Sequence, residues 1–133
     1  MNIHPDITIK EFIDQFSKIF DHLRLEFYTQ HHQENEGSPI KSQLDHALTL
    51  KEINKNLKEA QFDLNPEMSV ADFETMMFDK FKLNVQVFRN SAGLWLQTTS
   101  TDHWSLSKQN GKGQRSNQHY DIEPPKIQDF DLL

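Results

Sequence analysis

The chain carries the same pattern of helix caps and apolar residues twice, and this repetition constrains its fold more than any other feature. The first copy begins at Thr8 and places Phe12 four residues later; the second begins at Ser69 and places Phe73 at the same spacing. One residue must be omitted between helix and strand to keep the two copies aligned. Repeated units can pack through equivalent faces, so the pattern predicts how the fold is built. It does not predict what the fold does.

Each copy predicts a helix followed by a strand. Thr8 and Glu11 form a capping-box pattern, and the apolar residues that follow recur at helical spacing, which predicts a helix over about 8–21. Over 23–28 apolar and polar residues alternate, which is typical of a strand with one buried face. The second copy repeats this order from Ser69.

A hairpin and a short helix complete each copy. In the first copy we expect a return strand around Ile40–Asp45 and a short helix from Thr49. In the second, the turn at 90–93 leads into a β-prone strand over 94–99. The predicted fold is therefore α+β: two tandem helix–strand–strand–(short helix) units forming an antiparallel sheet of about four strands, with the long helices on one face.

The domain organisation follows from this repeat. We predict a single compact domain over residues 1–110, built from two pseudo-repeats at about 8–57 and 69–110. The last short helix is expected to end before Gly111, because glycine weakens helices. Residues 111–133 are polar and are expected to form a disordered C-terminal tail.

The second copy also carries a resemblance. Its strands read Val-Gln-Val-Phe-Arg at 85–89 and Trp-Leu-Gln-Thr-Thr at 95–99, and Asp-His-Trp follows at 102–104. Over about residues 7–110 the chain resembles a group of small, internally duplicated bacterial proteins of unknown function. The resemblance implies a fold and implies no activity.

Charge and composition exclude several classes of function. The formal net charge of -6 argues against a general nucleic-acid binder, which must neutralise phosphates, and against an anionic membrane surface. The chain has no cysteine, which excludes disulfides and cysteine-based zinc sites. No signal-peptide pattern is visible, and no apolar run approaches the roughly 20 residues that span a bilayer. We therefore expect a cytoplasmic protein without a cofactor.

Two Asp-His pairs suggest an alternative function. Asp45-His46 and Asp102-His103 precede the short helices of the two copies. If the fold brought the pairs together, they would supply two imidazoles and two carboxylates to a metal ion, as a small metal-dependent enzyme requires. The favoured interpretation is that each pair serves as turn and cap chemistry.

The tryptophans are candidates for packing or for contact with a partner. Trp95 lies between Leu94 and Leu96, so it points outward if the leucines point inward. An outward tryptophan on a sheet is a candidate partner-binding residue. Trp104 is expected to complete the core.

The end of the tail is a second candidate contact. Ile127, Phe130, Leu132 and Leu133 lie among acidic residues, and such a segment can dock into a groove on a partner. The alternatives are a terminus without a role, or an end that folds back over an open sheet edge.

Together these features favour a non-enzymatic intracellular protein–protein interaction module that uses Trp95 and the tail, with a partner that the sequence does not identify. Edge strands could also pair across a homodimer. The alternative is the metal-dependent enzyme described above. A further alternative is a nucleic-acid-associated regulator with a local basic patch at Arg89, Lys108, Lys112 and Arg115.

Overall fold

The computed structural model describes the backbone of residues 1–29 and 36–122, and their side chains up to Asn117. Within that part the chain is an α+β protein with four α-helices and two antiparallel sheets, as the sequence predicts at this level. The helices are α1 (Ile9–Ile19), α2 (Leu50–Ile53), α3 (Val70–Phe81) and α4 (Leu106–Ile122). The strands are β1 (Asn2–Ile3), β2 (Leu23–Tyr28), β3 (Ala60–Gln61), β4 (Asn84–Ser91) and β5 (Leu94–Gln97).

The larger sheet has the strand order β2–β4–β5, and the smaller sheet pairs β1 with β3. In the larger sheet Leu25 lies opposite Val87 and Phe27 lies opposite Val85. Because side chains alternate along a strand, these four apolar residues share one face. All four are buried, and α1 and α3 pack against this face to enclose the core.

Side-chain caps begin α1 and α3. The Thr8 hydroxyl accepts the N–H of Glu11 at 3.1 Å, and the Ser69 hydroxyl accepts the N–H of Asp72 at 3.0 Å. Each cap satisfies a donor that the first helical turn leaves without an internal partner. The helix starts therefore agree with the capping patterns in the sequence.

Aromatic side chains join α1 to the sheet and to α3. Phe12 meets Phe27 edge-on with ring centroids 5.8 Å apart, and Phe16 stacks on Phe73 at 5.4 Å. All four rings are fully buried. They pack α1 against β2 and against α3, and so form the centre of the core.

The start of each long helix is bridged to the segment before a later helix. Thr8 forms an isolated antiparallel bridge with Thr49, and Ser69 forms one with Ser105. Three backbone hydrogen bonds surround each bridge. Around the first, the N–H groups of Ile9, Lys10 and Leu50 donate to the carbonyls of Leu48, His46 and Ile7, respectively. Around the second, the N–H groups of Val70, Ala71 and Leu106 donate to the carbonyls of Trp104, Asp102 and Met68, respectively.

The return strand predicted around Ile40–Asp45 is wrong. Residues Ile40–Ser42 form a short 3₁₀ turn that starts after Pro39, and Gln43 makes one isolated bridge to Tyr28. The N–H groups of Ser42 and Gln43 donate to the carbonyls of Pro39 and Ile40 inside this turn, so they do not enter a strand ladder. The larger sheet therefore has three strands among the described residues instead of about four.

The β4–β5 hairpin closes through a two-residue turn. Ala92 and Gly93 both have positive φ, 53° and 84°. This backbone matches the tight turn that suits the twist of antiparallel strands, and glycine adopts it without strain. The turn lies inside the predicted 90–93 segment, and β5 ends two residues before the predicted boundary at 99.

The prediction that the last helix ends before Gly111 is wrong, because α4 continues to Ile122. A Cβ atom at Gly113 would lie 2.9 Å from the backbone oxygen of Asn90 and 2.9 Å from the Cβ of His22. Glycine is therefore needed for α4 to approach β4 and the start of β2 so closely. The tertiary contact outweighs the low helix propensity of glycine.

We expect Phe12→Ala and Phe73→Ala each to lower the free energy of unfolding by about 3–5 kcal/mol, because each leaves a cavity at the centre of the core. Ile19→Ala is the control, since Ile19 is the last residue of α1 and is 48% exposed. Urea denaturation measures all three. A loss near zero for either phenylalanine variant would contradict the packing described above.

The two glycines of α4 give a matched pair. At Gly111 an added Cβ would meet the end of the flexible Arg115 side chain at 3.2 Å. Gly111→Ala should therefore leave stability unchanged or raise it by up to about 1 kcal/mol, the helix-propensity gain. Gly113→Ala should lower stability by about 1–3 kcal/mol through overpacking against backbone. Equal melting temperatures for the two variants would show that α4 is not packed here.

Candidate functional site

The face of the larger sheet opposite α1 and α3, which we call the outer face, is crossed by residues 36–42. The N–H of Ser38 donates to Oε1 of Gln97 at 2.9 Å, and Nε2 of Gln97 donates to the Ser38 carbonyl at 2.9 Å. The Ser38 hydroxyl also lies 3.4 Å from Oε1 of Gln86. The crossing segment is thus held by polar contacts to β4 and β5, and it covers part of the outer face.

A carboxylate on the outer face holds two cationic or basic groups. Arg24 and Glu26 are two residues apart on β2, so their side chains share this face. The Glu26 carboxylate, 4% exposed, accepts from the Arg24 guanidinium and lies 2.6 Å from Nε2 of His46. His46 reaches the sheet because its carbonyl accepts the N–H of Lys10 at the start of α1. Glu26 therefore fixes the positions of Arg24 and His46 at the surface.

Trp95 lies next to this group. Its side chain is 40% exposed, and the Arg24 guanidinium carbon lies 5.9 Å from the ring centroid. Leu94 lies on the opposite face of β5 from Trp95, but it is not buried there as expected: it is 61% exposed, more than Trp95. Leu94 follows the hairpin turn directly, and alternation from one residue to the next predicts burial only where a helix covers the strand.

Two clefts meet at Arg24. The first, of about 320 Å³, lies between α1 and Trp95. The second, of about 200 Å³, lies between Phe88 and Ile40 of the crossing segment. Ile40 is 82% exposed, so its apolar side chain forms an open wall. We refer to the two clefts together, with Arg24, Ile40, Phe88 and Trp95, as the Trp95 groove.

The Asp-His pairs do not meet. His46 lies beside β2 and Asp102 follows β5, at opposite edges of the sheet with β4 between them. Exposed Asp45 accepts the N–H of Ala47 at 2.8 Å, which is a turn contact, and His103 is exposed. In the described part of the chain no three His, Cys, Asp or Glu side chains converge on a possible metal position. The four residues therefore do not form the shared site that the metal-dependent alternative requires.

Two expectations about exposure are also wrong. Trp104 is half-buried at the surface instead of in the core, with the Lys108 ammonium 4.2 Å from its ring centroid. Arg89 is fully buried, and its Nη1 donates to Oε1 of Gln109 on α4 at 2.9 Å. The basic patch that the nucleic-acid alternative requires therefore lacks Arg89.

A buried carboxyl group was not singled out from the sequence. Glu74 on α3 is 4% exposed, and its Oε2 accepts the N–H of Val87 at 2.8 Å. Burial raises the pKa of Glu74 to about 8, the charge of Asp102 adds to this, and the Val87 hydrogen bond opposes it. A signal was present: Glu74 lies four residues after Val70, inside the apolar stripe of α3.

The proposed contact residues of the tail, Ile127, Phe130, Leu132 and Leu133, lie outside the described residues. No described helix has both the length and the apolar character to cross a membrane. Comparison of the chain with protein-family models, with curated protein sequences and with solved structures gives no significant match. The functional argument therefore starts from the Trp95 groove itself.

The raised pKa of Glu74 predicts a pH dependence of stability. The folded chain binds this proton up to about pH 8, whereas the unfolded chain releases it near the ordinary value for glutamic acid. Between these values the folded state holds more protons, so the free energy of unfolding falls as pH rises. One such proton contributes a slope of at most about 1.4 kcal/mol per pH unit.

Glu74→Gln removes the titration and keeps an oxygen that can accept the Val87 N–H. We expect its stability relative to the wild type to rise as pH increases through this window, measured by urea denaturation at several pH values. Glu67→Gln, at an exposed position before α3, is the control and should follow the wild-type curve. Parallel curves for wild type and Glu74→Gln would show that Glu74 does not titrate in this way.

Proposed function

We propose that this chain is a non-enzymatic protein-binding module that binds an extended segment of a partner along β5 and in the Trp95 groove. The observation that carries the proposal is the exposed Trp95 with the Arg24 guanidinium beside its ring. Tryptophan and arginine dominate the energetics of many interfaces, because they bury large areas and donate directed hydrogen bonds. Glu26 holds Arg24 in place, which lowers the entropic cost of using it.

The edge of β5 supports an extended partner. The N–H of Thr98 donates to the carbonyl of Val87 on β4, so the backbone groups of Gln97 and Trp95 point away from β4. Among the described residues no strand pairs with β5 on that side. A peptide added there would gain backbone hydrogen bonds, and its alternate side chains would face the Trp95 groove.

We also infer that the chain consists of the two tandem units expected from the sequence and from the resemblance to duplicated bacterial proteins. Supporting this, the bridge from Thr8 to Thr49 matches the bridge from Ser69 to Ser105. If the two bridges are aligned, His46 corresponds to Asp102, because their carbonyls accept the N–H groups of Lys10 and Ala71. The Asp-His pattern instead matched His46 with His103, one residue later. An experimental structure that lacked either bridge would count against the tandem arrangement.

The two tryptophans provide a matched test of the binding function. Both are partly exposed, and both have a cation over the ring. Peptides would be selected from a random library displayed on phage against the immobilised full chain, and their affinities measured by fluorescence anisotropy. We expect Trp95→Ala to weaken binding at least about tenfold, as loss of a central interface residue does. Trp104→Ala should leave the affinity unchanged.

Either of two results would oppose the proposal. One is a selection that returns no peptide able to compete in solution. The other is a set of peptides that bind Trp95→Ala as tightly as the wild type. Circular dichroism spectra of both variants would establish that each remains folded.

A further inference from the structure

We propose that the chain's own C-terminal segment, residues 127–133, occupies the Trp95 groove and competes there with an external partner. The occupancy follows from the position of α4 and from the chemistry of the groove. The competition rests on the proposed function.

The route of α4 brings the chain close to Trp95. The side-chain amide of Asn117 lies 3.1 Å from Nδ1 of His22, the residue before β2. The carbonyl of His22 accepts the N–H of Asn90 at 2.9 Å, and Asn90 lies opposite Trp95 on β5. Since neighbouring strands are about 4.8 Å apart, Asn117 reaches the sheet at a point about 10 Å from the strand that carries Trp95.

The length of the remaining chain is sufficient. Helix α4 ends at Ile122, five residues after Asn117, which adds about 7.5 Å of helix. Eleven residues follow Ile122 in the sequence. An extended segment of this length spans up to about 36 Å, so Phe130 and the residues after it can reach the outer face around the start of β2.

The apolar residues of the segment suit the groove. In an extended chain Phe130 and Leu132 point to one side and their neighbours to the other. Phe130 and Leu132 can therefore lie against Trp95 and Phe88, both on the outer face of the sheet. Such contacts would remove exposed aromatic surface from water.

The charges of the segment also match. Asp129 and Asp131 flank Phe130, and Arg24 is the cation at the centre of the groove. With Phe130 and Leu132 against the sheet, Asp129 and Asp131 point away from it, so they attract Arg24 through their charge and leave its contact with Glu26 intact. The α1 side of the groove is polar, with Asp21 and the ion pair of Lys10 and Asp14, whereas Phe88 and Ile40 give the other side an apolar lining that suits Phe130 and Leu132. This places the segment on the Phe88 side of Arg24.

Attachment to the same chain favours this occupant over a second copy. Two groups joined by a short stretch of the same chain have an effective concentration on the order of 1 mM. An intrinsic dissociation constant as weak as about 100 µM would then keep most of the grooves occupied. A partner peptide must displace the segment. Its affinity would therefore be lower than for an empty groove by about tenfold, the ratio of the effective concentration to the dissociation constant of the segment.

Paramagnetic relaxation in the full chain tests the occupancy. Because the chain has no cysteine, Lys126→Cys gives one attachment site for a nitroxide label. The two indole N–H signals are assigned with Trp95→Phe and Trp104→Phe. The Trp95 signal reports on the groove, and the Trp104 signal reports on the region just before the start of α4. We expect the Trp95 signal to lose most of its intensity and the Trp104 signal to keep it. Adding Phe130→Ser and Leu132→Ser should restore the Trp95 signal, whereas Gln128→Ala, on the same segment, should not.

Equal attenuation of both indole signals, or of neither, would overturn the proposal. A second result that would overturn it comes from a mixture of ¹⁵N-labelled protein without the nitroxide and unlabelled protein that carries it. If the Trp95 signal is attenuated in this mixture, the segment binds a second copy of the chain. The peptide assay is read separately. If the segment docks and no peptide binds, the proposed function fails and the occupancy stands; if both hold, Phe130→Ser with Leu132→Ser should tighten peptide binding.

Discussion

The pairing of β2 with β4 is the contact on which the rest of the structure depends. Six residue pairs join the two strands, from Leu23 opposite Arg89 to Tyr28 opposite Asn84. In this register the side chains of Leu23, Leu25 and Phe27 face α1 and α3. The residues between them, such as Arg24 and Glu26, lie on the outer face. A slip by one residue would exchange the two faces, burying charged groups among the phenylalanines. The position of the Trp95 groove is therefore a consequence of the core.

The parts of the fold that could be predicted are those with local signals. Caps at Thr8 and Ser69 and a regular apolar period define α1 and α3, and alternation defines β2 and β4. The path of residues 36–42 could not be predicted, because it depends on Ser38 meeting Gln97, 59 positions away. The length of α4 was not predicted for the same reason: Gly113 opposes a helix locally and permits one only against Asn90 and His22.

The candidate site divides in the same way. Alternation along β5 was enough to select Trp95 for the outer face. The Glu26 carboxylate between Arg24 and His46 was not predictable, since His46 arrives from a loop 20 positions later in the chain. The Asp-His pattern was misleading because it compares residue types, whereas the backbone contacts pair His46 and Asp102 with helix starts at opposite edges of the sheet. Glu74 was accessible to sequence reasoning as a charge inside an apolar stripe.

The composition of α4 has a consequence for how the protein opens. Between residues 107 and 117 this helix has no apolar side chain, and its side-chain hydrogen bonds to Arg89 of β4 and to His22 are made by Gln109, Asn110 and Asn117. Detaching residues 107–117 would expose mainly polar side chains of the helix, and sensitivity to denaturant scales with the surface that opening exposes. Amide hydrogens protected only by docked α4 should thus exchange through a local opening that urea barely promotes, while those of β2 and β4 exchange through global unfolding. The protein would then have two levels of cooperativity within one small chain.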